Sequence, residues 1–272
     1  MDDALYRLHA EREETYWWWV AKNRIILSLV DRFLPAPGQA PSAHPGTNGS
    51  AHKPSALPRA LDIGCGAGGV LARLAHPAGR FDAVGIDLSP IAREYCANRG
   101  LTALDGSLPD GLPFTAPDSF SLVILSEVVE HVAQDRESVA AVVRLLMPGG
   151  ILICTVPAHQ WLWSSHDEFN HHHRRYTRAG FGALFDGLPV ERLVLSYYQA
   201  ASMPLVAGVR GLQKVQAAIT GRRPHTPEVR PLPGPVNTLL RQTFEIEKLW
   251  LPHARLPWGT SVISVHRKLP QG

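Results

Sequence analysis

The sequence predicts an α/β protein built on a doubly wound, mostly parallel β-sheet with helices on both faces. Three observations predict it. From residue 59 onward, short apolar runs alternate with helix-length segments, the pattern whose crossovers produce parallel strands. A turn rich in glycine (Gly64, Gly66, Gly69) joins the first apolar run to the segment after it. The second run ends on an acid, Asp87, where open parallel sheets carry ligand-binding groups.

The elements follow in order. Residues 3–34 read as one helix, with apolar residues recurring from Leu5 to Phe33 and Pro35 ending it. Residues 1–34 would form an N-terminal helical cap. Residues 35–58 hold six prolines and three glycines, cannot bury a core, and read as a mobile linker. The domain proper would span 59–272. "RALDIG" is its first strand and "GGVLARLAH" its first helix. "FDAVGID" is the second strand. "SPIAREYCANRG" is the second helix, with Ser89 as N-cap, Pro90 in the first turn and Gly100 closing it. "LTAL" and "FSLVILS" are the third and fourth strands. "RESVAAVVRLLM" is a helix stopped at Pro148-Gly149-Gly150, and "ILICTV" is the fifth strand. "VERLVLSYY" and "TSVISVHRK" are two late strands able to pair antiparallel at the sheet edge. A helical insertion at about 200–255, with segments 205–220 and 236–251, separates them.

Composition narrows the function. The 272 residues carry a formal charge of +3, and no Lys/Arg block resembles a phosphate-tracking stripe, so nucleic acid is not an expected partner. No apolar run approaches the ~20 residues of a membrane span. "MDDALYRLHAEREE" is too polar for a secretory signal. Cys65, Cys96 and Cys154 sit in apolar segments and read as reduced core thiols, so a cytoplasmic location is expected.

Ligand groups are sought at the carboxyl ends of the strands. Asp62 lies in the first strand, two residues before Gly64, and could accept hydrogen bonds from the glycine turn or from a ligand ammonium. Gly64, Gly66 and Gly69 satisfy a dinucleotide fingerprint, which alone is a weak signal. Asp87, 18 positions after Gly69, suits a ribose diol. Asp105 and Ser107 follow the third strand and are candidates for an adenine edge. Ser126, Glu127, Glu130 and His131 follow the fourth.

"LDIGCGAGG", Asp87, "LPFTAPDSFSLVILSEVVEHV" and "RLLMPGGILICTVP" resemble, in order and spacing, the motifs of class I S-adenosylmethionine-dependent methyltransferases across residues 59–157. "ETYWWWVAKNRIILSLV", "WLWSSHDEFNHHHRRYT", "SYYQA" and "FEIEKLWLPHARLPWGTSVISVHRK" resemble a bacterial subgroup of these enzymes, often associated with polysaccharide or lipid-linked glycan pathways. The resemblance implies a Rossmann-like, seven-stranded sheet whose last strand is antiparallel. It implies S-adenosylmethionine as cofactor, with Gly64, Cys65 and Gly66 beneath the methionine part and Asp62 at its amino group. Asp87 would hold the ribose, Leu88 would lie against adenine, and Ser126 and Glu127 would complete the site. The implied reaction is methyl transfer to a small-molecule or glycan- or lipid-linked acceptor, at oxygen. Two rivals stand beside it: a nicotinamide oxidoreductase, which shares the glycine turn and the acidic strand end, and a non-catalytic cofactor-binding module.

Methyl transfer from a sulfonium is an in-line displacement, and a hydroxyl nucleophile needs a base within hydrogen-bond reach. His131, His166 and His172 are the candidates. The last two belong to "WSSHDEFNHHHRRY", residues 163–176, which follows the fifth strand and should face the transferable methyl group. Trp163, Arg174, Arg175 and Tyr176 are candidate substrate contacts, the paired arginines suiting a carboxylate or phosphate. Adjacent histidines 171–173 cannot readily aim at one ion and no cysteine lies near, so no metal is expected. Trp17, Trp18 and Trp19 read as core, as a lid over the cofactor, or as an interfacial belt. Leu205, Val209, Leu212, Val215 and Ile219 share one helix face, with Arg210, Lys214, Arg222 and Arg223 elsewhere. That face leaves open a peripheral contact with an anionic membrane at its inner side.

Overall fold

The computed structural model describes residues 3–34, 57–75, 80–221 and 232–270. The linker stretch lies outside the described residues as far as residue 56, as do Arg222 and Arg223.

Helices α1 (Asp3–Arg12) and α2 (Trp17–Phe33) come first. Strand β1 (Arg59–Ile63) leads through the glycine turn to α3 (Leu71–Ala75). Then follow β2 (Asp82–Ile86), α4 (Pro90–Asn98), β3 (Ala103–Leu104), β4 (Phe120–Ser126), α5 (Asp135–Leu145) and β5 (Leu146–Pro157). Short helices α6 (Ser165–Phe169) and α7 (Arg178–Gly182) precede β6 (Val190–Tyr198). Helices α8 (Met203–Thr220) and α9 (Gly234–Glu245) precede β7 (Ser261–Lys268).

The strands form one seven-stranded sheet in the order β3-β2-β1-β4-β5-β7-β6. β1 to β5 pair in parallel, and β7 lies antiparallel between β5 and β6. The expected late strand pair is therefore present, with the last strand reversed. The central strands are apolar on both faces because both are covered. Leu61, Ile63, Val123 and Leu125 point to one core with Val139, Val142 and Phe181. Ala60, Leu122, Ile124, Ile151 and Ile153 point to the other, where Ile25, Ile26, Leu29 and Val30 of α2 pack. The period-2 alternation assigns one strand's residues to two cores.

Two boundaries differ from the sequence reading. The N-terminal segment is two helices, not one. Tyr16 is extended (φ −80°, ψ 129°) at the start of α2. In the break, Glu13 and Glu14 both reach Arg99 at the end of α4. Strand β5 also begins five residues before "ILICTV". It contains the Pro148-Gly149-Gly150 turn, with Gly149 at φ +80°, and pairs with β4 through a register shift between Phe120 and Leu122.

Candidate functional site

The carboxyl ends of β1, β2, β4, β5 and β6 share one edge of the sheet. A cavity of about 910 Å³ opens there, within the range of small-molecule and cofactor sites. Three non-glycine residues with left-handed backbone follow strands on this edge: Glu127 (φ 58°), His159 (φ 60°) and Gln199 (φ 59°). Such backbone is uncommon outside glycine and concentrates at functional sites.

The glycine turn forms the floor. Gly64 has φ +71°, and a Cβ there would run into the Val128 side chain, so only glycine fits. The Gly66 amide donates to Asp87 at 2.9 Å, and the Ser89 amide donates to its other carboxylate oxygen at 2.9 Å. Asp87 thus ties the turn after β1 to the turn after β2, and burial raises its pKa. The Tyr6 hydroxyl of α1 donates to it at 3.4 Å. Asp62 is buried in β1, and burial pushes its pKa up to about 7 against the opposing pull of Lys22. Cys65 lines the floor, with its thiol 4.0 Å from Cys96; all three cysteines are free and buried.

The roof is α1 and α2. Trp17, Trp18 and Trp19 line the cavity, which favours the lid reading over a membrane belt. Trp17 packs on Phe244 of α9, and the Trp18 indole donates to Gln199 at 3.1 Å. Sequence reasoning missed Gln199 and Lys22. Gln199 is buried and also accepts from Thr260 at 2.8 Å, tying the roof to β7. Lys22 projects from α2 into the cavity with its ammonium 4.8 Å from the Trp18 ring. Burial lowers its pKa, while Glu127, Glu130, Asp62 and Glu13 favour its charge. A lysine on a helix otherwise turned to the core was a signal available in the sequence.

The far wall comes from the turn after β4 and the loop after β5. His131, His166 and His172 all line it. The imidazoles of His131 and His172 meet edge to face with centroids 4.6 Å apart. His172 Nδ1 lies 2.9 Å from Asp167, which also accepts from Arg175 Nε at 2.7 Å. Burial would raise Asp167, but the hydrogen bond from His172 and the Arg175 charge hold it well below the usual carboxylate range. Burial and the neighbouring His172 push His131 down to about 3. His166 lies edge-on to His172 with centroids 6.4 Å apart, and its Nε2 is 3.3 Å from the Asn170 side-chain amide.

Several expected contacts fall elsewhere. Leu88, Ser107, Ser126 and Glu127 line the cavity, but Asp105 does not. Its carboxylate is exposed and paired with Arg93 at 2.6 Å. The arginines expected to clamp an anion already have partners within the chain. Arg174 is held by Asp135 at 2.7 Å and by the Ala133 carbonyl, and the Tyr176 hydroxyl donates to the same Asp135 at 2.9 Å. Arg175 reaches the cavity wall, but its guanidinium is bound to Asp167 and to the Ala158 carbonyl. Neither Arg174, Tyr176 nor Trp163 lines the cavity. Two acids near in space, Asp135 and Asp167, claim the charges that a linear reading assigns to substrate.

Comparison with known proteins agrees with this architecture. Residues 61–154 match the family described as "Methyltransferase domain". A ubiquinone biosynthesis O-methyltransferase of Methylococcus capsulatus is 40% identical over 105 residues, 37% of this chain and 44% of that protein. The enzyme of the same name from Cereibacter sphaeroides is 37% identical over 103 residues, 36% of this chain and 40% of that protein. The matched stretch thus spans less than half of these relatives. Among solved structures, a SAM-dependent methyltransferase from Archaeoglobus fulgidus superposes with a TM-score of 0.51 at 13% identity, covering 78% of this chain and 86% of that one. A geranyl diphosphate methyltransferase in complex with SAM gives 0.51 at 14% identity, covering 78% and 79%. At such identities these two speak for the fold, while the matched motifs speak for the family. Residues 61–154 thus match a methyltransferase domain, set in a Rossmann-like seven-stranded sheet whose last strand is reversed.

Proposed function

We propose that the protein transfers a methyl group from S-adenosylmethionine to a hydroxyl of a small-molecule or glycan- or lipid-linked acceptor. The cavity suits that cofactor. Asp62, Asp87, Glu127 and Lys22 all line it, which supplies anionic groups for an ammonium and a sulfonium, a carboxylate for a ribose diol and a counter-charge for a carboxylate. The cofactor, when bound, supplies a methyl group made electrophilic by positive sulfur. The chain's own residues align the acceptor and exclude water under the tryptophan roof. The observation that carries the reading is His172. Asp167 fixes its Nδ1, leaving Nε2 to accept a hydroxyl proton in the cavity that the glycine turn floors.

Incubation of the purified protein with methyl-labelled cofactor and the small-molecule and lipid fractions of a bacterial lysate tests this. A labelled ether or ester product is expected. Calorimetry showing affinity for NADH and none for S-adenosylhomocysteine would overturn it in favour of an oxidoreductase. Cofactor binding with no labelled product from any fraction would favour the non-catalytic module.

The acceptor pool includes membrane-borne molecules on this reading. No described helix is long and apolar enough to cross a membrane. Leu205, Val209, Leu212, Val215 and Ile219 are nevertheless exposed along α8, while Val206 and Arg210 of the same helix line the cavity region, as does Ser202 just before it. Sedimentation with anionic liposomes at low salt tests peripheral contact, and Leu212→Glu should weaken it.

A further inference from the structure

We infer that the far wall of the cavity is a binding site for a borderline divalent cation such as Zn²⁺, held by Glu130, His131 and His172. Adjacent histidines 171–173 cannot readily converge on one ion. Folding instead brings together one histidine of that run and a Glu-His pair from the turn after β4. One ligand atom from each of Glu130, His131 and His172 lies within 4.8 Å of the others. Ligand atoms around a tetrahedral zinc stand about 3.3 Å apart, so closure onto an ion needs side-chain shifts of ångström size.

Two independent observations point to a ligand. First, Glu130 is fully buried and its carboxylate oxygens find no donor, with the like-charged Glu127 carboxyl as their side-chain neighbour. Glu127 Oε1 nearby is buried and unpartnered too. Buried polar atoms are almost always satisfied, and an unpaired buried carboxylate is costly. Second, His172 is already oriented as metal-binding imidazoles are. Its Nδ1 is fixed by Asp167, which Arg175 holds in turn, so the lone pair of Nε2 is free for the wall of the cavity. The backbone clamps the two pieces of chain together, His173 N donating to the Glu130 carbonyl at 2.8 Å, and within the loop His172 N donates to the Asp167 carbonyl at 2.9 Å.

The donor set selects the ion. One carboxylate and two imidazoles suit zinc, iron or manganese, whereas magnesium and calcium prefer all-oxygen shells. Three protein ligands leave a position open, and His131 and His172 both line the cavity. This role rests on the methyl-transfer reading. An acceptor hydroxyl at the open position would lose its proton to solvent under the pull of the cation. Its oxygen pair would form the new C–O bond as the C–S bond breaks and its electrons return to sulfur. The cation would then take over the task assigned above to His172.

The test uses the full chain after dialysis against EDTA, with Zn²⁺ titrated by calorimetry and Co²⁺ followed by its visible absorption. One ion per chain is expected, with tetrahedral or five-coordinate cobalt bands. His172→Gln and Glu130→Gln should each weaken binding at least 100-fold, and Asp167→Asn about 10-fold, while the double variant His171→Ala/His173→Ala keeps the site. Thermal unfolding of each variant without metal controls for misfolding. Absence of stoichiometric binding, or binding lost in the His171/His173 variant and kept in the other three, overturns the site. The two readings fail separately. Methyl transfer that persists in EDTA with no ion bound removes the site and leaves the transferase. Cobalt bands with no affinity for S-adenosylhomocysteine remove the transferase and leave the site.

Discussion

Lys22 and Asp62 are the residues whose protonation decides what charge the cavity offers a ligand. Lys22 is buried against Trp18 within reach of four carboxylates. If it meets the cofactor's carboxylate, Lys22→Met should weaken S-adenosylhomocysteine about 10-fold, some 1.4 kcal/mol, and leave the decarboxylated analogue unchanged. Equal losses for both ligands in calorimetry would show a merely structural lysine. Asp62 makes a second prediction. Its folded pKa is near 7, raised chiefly by burial. A ligand ammonium favours the ionised carboxylate, so binding below pH 7 should release a proton and affinity should rise with pH until about 7. Calorimetry at pH 6 in buffers of different ionisation heat would detect that release, and Asp62→Asn should abolish it. At this scale the sequence was legible where chemistry is local. The glycine turn and Asp87 could be read directly, because a strand end and its turn are contiguous. Arg174, Arg175 and Asp105 could not, because their partners Asp135, Asp167 and Arg93 depend on tertiary placement.

Among the elements, the strands and their alternation were visible because period-2 burial on both faces leaves continuous apolar runs. The roof was not. Nothing local marks Glu13 to Tyr16 as a break, and the contact made there is non-local: Arg99 takes both Glu13 and Glu14. The connection from β6 into α8 is similarly non-local. Glu247, just beyond α9, accepts the backbone amides of Gln199 at 2.6 Å, Ala200 at 2.7 Å and Ala201 at 3.4 Å. It therefore holds Gln199 in its left-handed conformation, and Gln199 in turn holds Trp18. Glu247→Ala should leave those amides without an acceptor and cost about 2 kcal/mol, a fall of about 5 °C in Tm. It should also loosen the roof and weaken S-adenosylhomocysteine. A stability loss with unchanged affinity would detach the roof from this network.

The whole molecule carries two sets of buried titratable groups that pull stability in opposite directions with pH. Asp62, Asp87, Glu13 and Glu130 have pKa values raised by burial. Between the ordinary carboxylate range and their folded values the native state binds more protons, so these groups make stability fall as pH rises. His9, His131 and His266 are pushed down to about 4, 3 and 3, again by burial first. Between those values and about 6.5 the unfolded chain binds more protons, so these groups make stability rise with pH. The opposition flattens the net dependence, and separating the two requires a group remote from the acids. His266 is that group. It is fully buried on β7, stacked on Phe185 with centroids 3.7 Å apart, and neither ring nitrogen has a hydrogen-bond partner. His266→Phe keeps the stacking and removes the titration. Between pH 6 and 4, denaturant melts of the variant and the parent should diverge by about 1.4 kcal/mol per pH unit, the variant gaining as pH falls. Parallel stability curves across that window would mean that His266 is already solvated when folded, and that this edge of the sheet is looser than its packing shows.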